Sequence, residues 1–369
     1  MHVVILTPAL VEGDAVSNDV VGMARTLRGM GHRVTLSVRW VSGEFPIVPF
    51  NRVPELLTNP DDVLIYHHSI NFAEGVRYID ELPCRKIVKY HNVTPPELFR
   101  DHNREIARGC AEGLAQVEHL LRPDVPLWAD SPFNGRHAQS FRPNWPFHTL
   151  PPFNQVHELL TAEPDLAGVG LFDDWFTNVL VVGRLVPNKN VTLAIDAFGA
   201  YRRKHDPYAR LILVGDLAQN AYCKTLLDRI AEHGLAEHVV ITGKISVAQL
   251  KAFFLTAQVL LTTSKHEGFC APLVEAMALR VPLVALPNGA IPDTAADVAL
   301  YPQEDAESIA DALLLARTDT RGREERLERG WRRYVEHFTN EVIAVEFRRL
   351  FAEAQVQWRG ERTLPACAG

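Results

Sequence analysis

Residues 264–278 read SKHEGFCAPLVEAMA. They follow a β-like apolar run at 257–263 (AQVLLTT) and lead into a helical pattern. Gly268 frees the turn from the Cβ restriction on φ. Pro272 suits a first helical position, where no N–H donor is needed and φ is already set. Glu267 is therefore expected on a loop at the carboxyl end of a strand, and Glu275 in the first turn or so of the next helix. The unpaired N–H groups at such a helix start favour an anion. A strand, a tight turn, a helix start and two carboxylates describe a site for a ligand carrying phosphates and hydroxyls.

Upstream, the apolar run at 178–182 (NVLVV) ends in the loop 183–190, GRLVPNKN. Helices are expected at 191–204, 221–233, 247–255 and 306–316, and strands at 211–214, 239–242 and 282–286. The first half alternates in the same way. Strands are expected at 1–7, ending at Pro8, and at 33–38, 62–66, 85–90 and 128–131. Helices are expected at 18–30, 97–121 and 134–141. Alternation of strand and helix in both halves implies two α/β units with parallel sheets. The opening unit lacks G-x-G-x-x-G, which counts against a dinucleotide-dependent oxidoreductase. Loops at the carboxyl ends of parallel strands line ligand crevices, so His67 and His68 after the third strand, and His91 after the fourth, become candidates. A proline-punctuated stretch separates the halves. The expected division is 1–155, a connection at 156–177, 178–340, and an amphipathic helix at 341–358 packing back on the first domain.

At 369 residues the chain exceeds the size at which one core keeps growing. A formal net charge of −7 argues against nucleic acid as the main partner. The longest apolar runs fall short of a membrane span, and the first residues read as a strand rather than a signal peptide. Five separated cysteines (Cys84, Cys110, Cys223, Cys270, Cys367) suggest neither a disulfide framework nor a zinc site. The histidines are scattered without metal-ligand spacing, apart from the adjacent His67 and His68. The expectation is a cytoplasmic enzyme without a metal.

Arg184 and Lys189 flank a rigid Pro-Asn turn. Fixed cations there suit a diphosphate, because they stabilise charge developing on a leaving phosphate. Glu275 suits a pair of vicinal hydroxyls, and Glu267 sugar hydroxyls or an electron-deficient anomeric carbon. Taken singly, each reads as an ordinary surface or helix-start residue; their joint occurrence changes the odds.

The runs VVGRLVPNKN from Val181, TSKHEGFCAPLVEAMA from Thr263 and PNGAIPDT from Pro287 resemble retaining glycosyltransferases of family 4. The resemblance implies the GT-B fold, an α/β architecture of two Rossmann-like domains with parallel sheets facing across a cleft. It assigns the second domain to the donor and the first to the acceptor. It implies that Arg184 and Lys189 bind the donor diphosphate and Glu275 the ribose. Glu267 with the backbone of Gly268, Phe269, Cys270 and Ala271 would hold the transferred sugar and the phosphate. Gly183 belongs to the same donor loop, and Gly243 and Lys244 fall where the nucleobase is contacted. His91 matches a histidine near the transferred sugar. Gly13 and Asp14 stand where a glycine-rich loop approaches the ligands, with His67 and His68 on the acceptor side. Cys270 replaces a common glycine, and Asp293 a more usual glutamate. The runs GDAVSNDV, LIYHHSI and YHNVTPPELF resemble bacterial transferases of surface polysaccharides, mannosyltransferases among them.

The implied reaction is hexose transfer with retention, from a nucleotide sugar to a saccharide or lipid-linked saccharide. GDP-mannose is the first candidate donor. A lipid-linked acceptor would bring peripheral contact with the cytosolic membrane face, although residues 99–122 read as a solvated helix. The rival readings are an epimerase of the same fold and a non-catalytic nucleotide-sugar sensor. A phosphorylase would need a pyridoxal-binding lysine and a longer chain.

Overall fold

The computed structural model describes residues 1–172, 174–216 and 221–363; Cys367 lies outside them. The chain divides into two compact units, one of residues 1–93, 109–154 and 337–369, the other of residues 94–108 and 155–336.

In the first unit the described strands are β1 (His2–Val11), β2 (Arg33–Ser42), β3 (Ile47–Pro49), β4 (Val63–His68), β5 (Arg85–Tyr90), β6 (Leu127–Ala129) and β7 (His148–Thr149). They pair in the order β3-β2-β1-β4-β5-β6-β7, all parallel. Val3, Val4, Ile5 and Leu6 of β1 are fully buried, as an unbroken apolar run in a sheet covered on both faces should be.

β1 does not stop at Pro8. It continues to Val11 because only β2 accompanies it there, pairing Thr7 with Val38 and Ala9 with Trp40, whereas its pairing with β4 ends at Leu6. A proline lacking an N–H is tolerated where one strand edge is open.

The final helix runs Asn340–Thr363 and belongs to this unit. Its Phe347 is fully buried, edge-on to Trp128 at 5.6 Å and stacked on Phe351 at 5.9 Å.

In the second unit the strands are β8 (Asn178–Val182), β9 (Arg210–Val214), β10 (Val239–Gly243), β11 (Val259–Thr262) and β12 (Leu283–Ala285), in the order β10-β9-β8-β11-β12, again parallel. Helices Val191–Lys204 and Ala306–Thr318 supply much of its core through Ile195, Phe198, Ile309 and Leu313.

Residues 156–177, expected as a connection, carry the helices Val156–Thr161 and Leu166–Val169 within this unit. Lys251 Nζ donates to the carbonyls of Leu160 and Ala162 at 2.6 and 2.7 Å. The helix Thr320–His337 has no counterpart among the expected elements; it is dominated by Arg and Glu, and only Gly330 and Tyr334 on it are buried. The helix expected at 97–121 starts later, at Arg104. Among the described residues no helix is long and apolar enough to cross a membrane.

If the final helix is an integral part of the first core, Phe347→Ala should cost about 3–5 kcal/mol. Urea denaturation followed by circular dichroism measures this, and a loss near zero would mean the helix merely rests on the surface.

Candidate functional site

The second sheet reverses its strand order between β8 and β11, on either side of which the chain winds outward. A ligand crevice forms at such a point, outside the carboxyl ends of the strands. The loops leaving those two ends are 183–190 and 263–270.

They are stitched together. Lys265 N donates to the Asn188 carbonyl at 2.9 Å, and Thr263 Oγ1 donates to the carbonyls of Lys189 and Asn190 at 3.2 and 3.0 Å. Lys189 Nζ then meets Glu267 Oε1 at 2.6 Å, and Ser264 Oγ donates to the same oxygen at 2.6 Å. Burial acts to lower the Lys189 pKa, but the charge of Glu267 and its hydrogen bond outweigh this and hold the ammonium above its ordinary value. Gly183, Arg184, Lys189, Ser264, Glu267 and Cys270 line one narrow cavity. Arg184 is exposed at its rim.

A third loop braces the second. Ala290 N donates to the Glu267 carbonyl at 2.9 Å, Asn288 Nδ2 to the Ser264 carbonyl at 3.0 Å, and Thr294 Oγ1 to the Phe269 carbonyl at 2.6 Å. Gly289 makes this possible: its φ is +62°, and a Cβ there would sit 2.5 Å from the Glu267 carbonyl oxygen. The run PNGAIPDT is thus a buttress for the Glu267 turn, with the Asp293 carbonyl accepting from Arg333.

The helix that follows is Ala271–Ala278, with Pro272 in its first turn. Glu275 falls in the second turn, one step deeper than expected. Phe269 and Cys270 are buried and Gly268 and Ala271 partly so. Cys270 adopts φ 71°, ψ 70°, a left-handed conformation that glycine enters most easily. Burial, then the Glu267 carboxylate, raise its thiol well above the ordinary range, so it is not an activated thiolate.

Glu275 is buried, with Oε1 accepting from Gln155 Nε2 at 3.4 Å and Oε2 without a hydrogen-bond partner among the described residues. Burial pushes its carboxyl up to about 7. A buried acceptor with an unmet lone pair is costly and rare, and it fits a ligand that brings hydroxyl donors. Gly243 ends β10, bridged to Gly215, which abuts the Gly183 carbonyl; Lys244 beside it is exposed.

In the first unit, Gly13 forms an exposed turn with φ +81°. Asp14 caps the helix Ala15–Gly29, accepting from Val16 N and Ser17 N, so its carboxylate is committed locally. His67 and His68 are not loop residues: they close β4 and are fully buried. The reason is that β5 pairs with both, opposite Lys89 and Tyr90. His68 is pinned structurally, Nε2 to the Gly113 carbonyl at 2.9 Å and Nδ1 to Tyr66 Oη at 3.1 Å, and burial lowers its pKa to about 4.

His67 and His91 face each other, with Nδ1 and Nε2 2.8 Å apart. His91 Nδ1 lies 2.7 Å from Asp130 Oδ2, and Asp130 Oδ1 lies 2.5 Å from Lys89 Nζ. Asp19, on the first helix, is fully buried below them. Its Oδ2 stands 3.8 Å from each histidine and 3.9 Å from Lys89. Sequence reading missed Asp19, Lys89 and Asp130. One signal was available: a lysine interrupting the buried strand RKIVKY. The histidines, read as scattered, converge through the sheet, and with Asp19 they bring three ligand-type atoms within 4.8 Å. The contact between the two rings and the ammonium of Lys89 already account for that closeness.

The two parallel sheets and the loops at the second switch point define a class, the α/β fold of GT-B glycosyltransferases. Residues 171–333 match the family described as Glycosyl transferases group 1. The chain is similar to the lipopolysaccharide 1,2-N-acetylglucosaminetransferase of Salmonella typhimurium, 25% identical over 66% of this chain and 59% of that protein. It is also similar to a GDP-mannose-dependent phosphatidylinositol monomannoside mannosyltransferase of Mycolicibacterium smegmatis, 30% identical over 47% of each chain. The alignments thus span about half the length of these relatives. Among solved structures, Anabaena HepE in complex with UDP-glucose matches with a TM-score of 0.76 at 16% identity, over 96% of this chain and 100% of that one. Sucrose-phosphate synthase from Thermosynechococcus elongatus matches with 0.73 at 18% identity, over 97% and 100%. The chain resembles GT-B glycosyltransferases, mannosyltransferases among them.

The isolated Glu275 gives a testable cost. Its folded pKa of about 7 exceeds the 4.5 of a free glutamate, so folding retains a proton that the unfolded chain releases. Stability should therefore fall as pH rises from about 4.5 through 7, by roughly 3 kcal/mol at most. Glu275→Gln should be more stable than the parent in urea at pH 8, with the gap closing towards pH 5. An equal gap at both values would contradict the geometry.

Proposed function

We propose that the protein is a retaining glycosyltransferase that moves a hexose from a nucleotide sugar to a hydroxyl of a saccharide or lipid-linked saccharide. The observation that carries this reading is the pairing of a cationic loop (Arg184, Lys189) with a carboxylate turn (Glu267) at the switch point, beside the unmet acceptor of Glu275. The two cations suit the donor diphosphate, and the unmet oxygen of Glu275 suits ribose hydroxyls. Glu267, with the backbone from Gly268 to Ala271, suits the transferred sugar.

Chemistry follows from that placement. As the bond between the anomeric carbon and phosphate lengthens, negative charge grows on the departing diphosphate and positive charge on the sugar. Lys189 and Arg184 stabilise the first, and the Glu267 carboxylate lies within reach of the second. The leaving phosphate oxygen accepts the proton of the acceptor hydroxyl on the same face, so configuration is retained without a carboxylate nucleophile. No metal is assigned a role.

The relatives named as GDP-mannose-dependent support GDP-mannose as the first candidate donor, and the UDP-glucose complex supports UDP-glucose as its competitor. A lipid-linked acceptor would place the enzyme peripherally at the cytosolic membrane face.

A thermal-shift panel of UDP, GDP and their sugars tests the donor site. The true donor nucleotide at 100-fold excess over its Kd should stabilise the protein by about 2.7 kcal/mol, and a flat response to every nucleotide would remove the reading. Lys189→Ala should lower transfer by at least ~100-fold; full activity would withdraw the phosphate assignment.

A further inference from the structure

The helix Val156–Thr161 opens on a residue that gives up its usual local role. Gln155 occupies the N-cap, at φ −92° and ψ 12°, and its side chain makes no capping hydrogen bond. Cap positions favour Ser, Thr, Asn and Asp, whose short side chains turn back to the first N–H groups of their own helix. Gln155 instead sends its amide outward. Its Nε2 donates to Glu275 Oε1 at 3.4 Å, across 120 residues of sequence.

The base of that amide is anchored within the second unit. The Gln155 carbonyl accepts from Leu159 N at 2.9 Å. Val156 and Leu159 are buried, and their helix packs against Ala271–Ala278, which carries Glu275. Lys251 holds the far end of the short helix through the carbonyls of Leu160 and Ala162.

Glu275 has little else to place it. Oε2 has no hydrogen-bond partner among the described residues, and Oε1 has Gln155. The titratable groups on the surrounding elements are Cys270 on the preceding loop, His157 and Glu158 on Val156–Thr161, Asp293 on Ile291–Ala295, and Arg333 and Tyr334 on Thr320–His337. Arg333 is committed to the Asp293 and Thr294 carbonyls. None of these groups sets the Glu275 carboxyl: burial raises it, and the hydrogen bond from Gln155 opposes burial.

We propose that Gln155 is a positioning residue for Glu275, its amide tying down Oε1 so that Oε2 is left to receive hydroxyl donors from a ligand. This deepens the function proposed above and rests on it, the ligand being a nucleotide whose ribose keeps its adjacent hydroxyls. The amide also favours the form that accepts. A donor to the carboxylate stabilises the charged state, and only that state takes hydrogen bonds on both oxygens. Without the donor, burial is unopposed. The carboxyl then titrates at higher pH, and fewer molecules carry the carboxylate near neutrality.

The test compares the parent with Gln155→Leu, which keeps most of the side-chain bulk, and Gln155→Glu, which keeps the shape without the N–H donor. The 13C carboxyl signal of Glu275, assigned with Glu275→Gln, is titrated in the ligand-free protein. Its midpoint should lie at higher pH in both variants than in the parent. An unchanged midpoint would overturn the proposal whether or not any nucleotide binds.

Calorimetric Kd values for UDP and GDP give the second arm, taken as the ratio of variant to parent so that phosphate ionisation cancels. Glu275 is about half ionised at pH 7 in the parent. The ratio for Gln155→Leu should therefore be about fivefold at pH 7 and close to one at pH 9. A ratio of one at both values, or equal weakening at both, would overturn the positioning role while leaving the proposed transfer intact. A parent that binds neither nucleotide would count against the function and leave the carboxyl titration standing.

Discussion

The reversal of strand order between β8 and β11 is the constraint on which the rest of the second unit depends. A parallel sheet that winds outward in both directions from one pair of strands leaves the two following loops side by side with no helix between them. Everything proposed for the donor site sits on those two loops or on what supports them. The Lys189–Glu267 contact at 2.6 Å ties them electrostatically, and the backbone bonds from Lys265 and Thr263 tie them sterically. The 287–294 loop then fixes the outer side of the Glu267 turn through Gly289 and Ala290. The protein's own contacts therefore brace both loops, as electrostatic stabilisation of a departing phosphate requires.

Both units keep buried charge that a fold built for stability alone would avoid. In the second, Glu275 lies in the protein with one oxygen unmet. In the first, two carboxylates, Asp19 and Asp130, surround one buried lysine, Lys89, beside the rings of His67 and His91. Apolar replacements of such groups are often neutral or stabilising, so their presence points to function. The difference between the units lies in connectivity. Glu275 stands nearly alone, with Gln155 as its hydrogen-bond partner, whereas the first cluster sets its charged groups against one another and still leaves Asp19 Oδ2, Asp130 Oδ1 and His67 Nε2 without a hydrogen-bond partner among the described residues.

The strands were legible because buried parallel strands are largely unbroken apolar runs, as at 3–6 and 179–182. The helix Thr320–His337 was not, because a helix burying only Gly330 and Tyr334 carries almost no periodic signal. Lys189, Glu267 and Glu275 could each be read from local turn and helix chemistry. Their burial could not, since it depends on Gly289 and Gln155 arriving from elsewhere in the chain. His67 and His68 were read one step too far along, as loop residues, because nothing in two polar side chains announces that a strand continues through them. Asp19 carries no local signal in the sequence; only the fold sets it beside His67 and Lys89.

Proton uptake or release on nucleotide binding tests the central claim most directly. Hydroxyl donors favour the charged carboxylate, so occupation of the site should pull the Glu275 pKa down from about 7. Calorimetric titration of a nucleoside diphosphate at pH 7, in two buffers of different ionisation enthalpy, should show release of about half a proton by the parent and none by Glu275→Gln. Binding with no proton release by the parent, or with equal release by both proteins, would contradict the account.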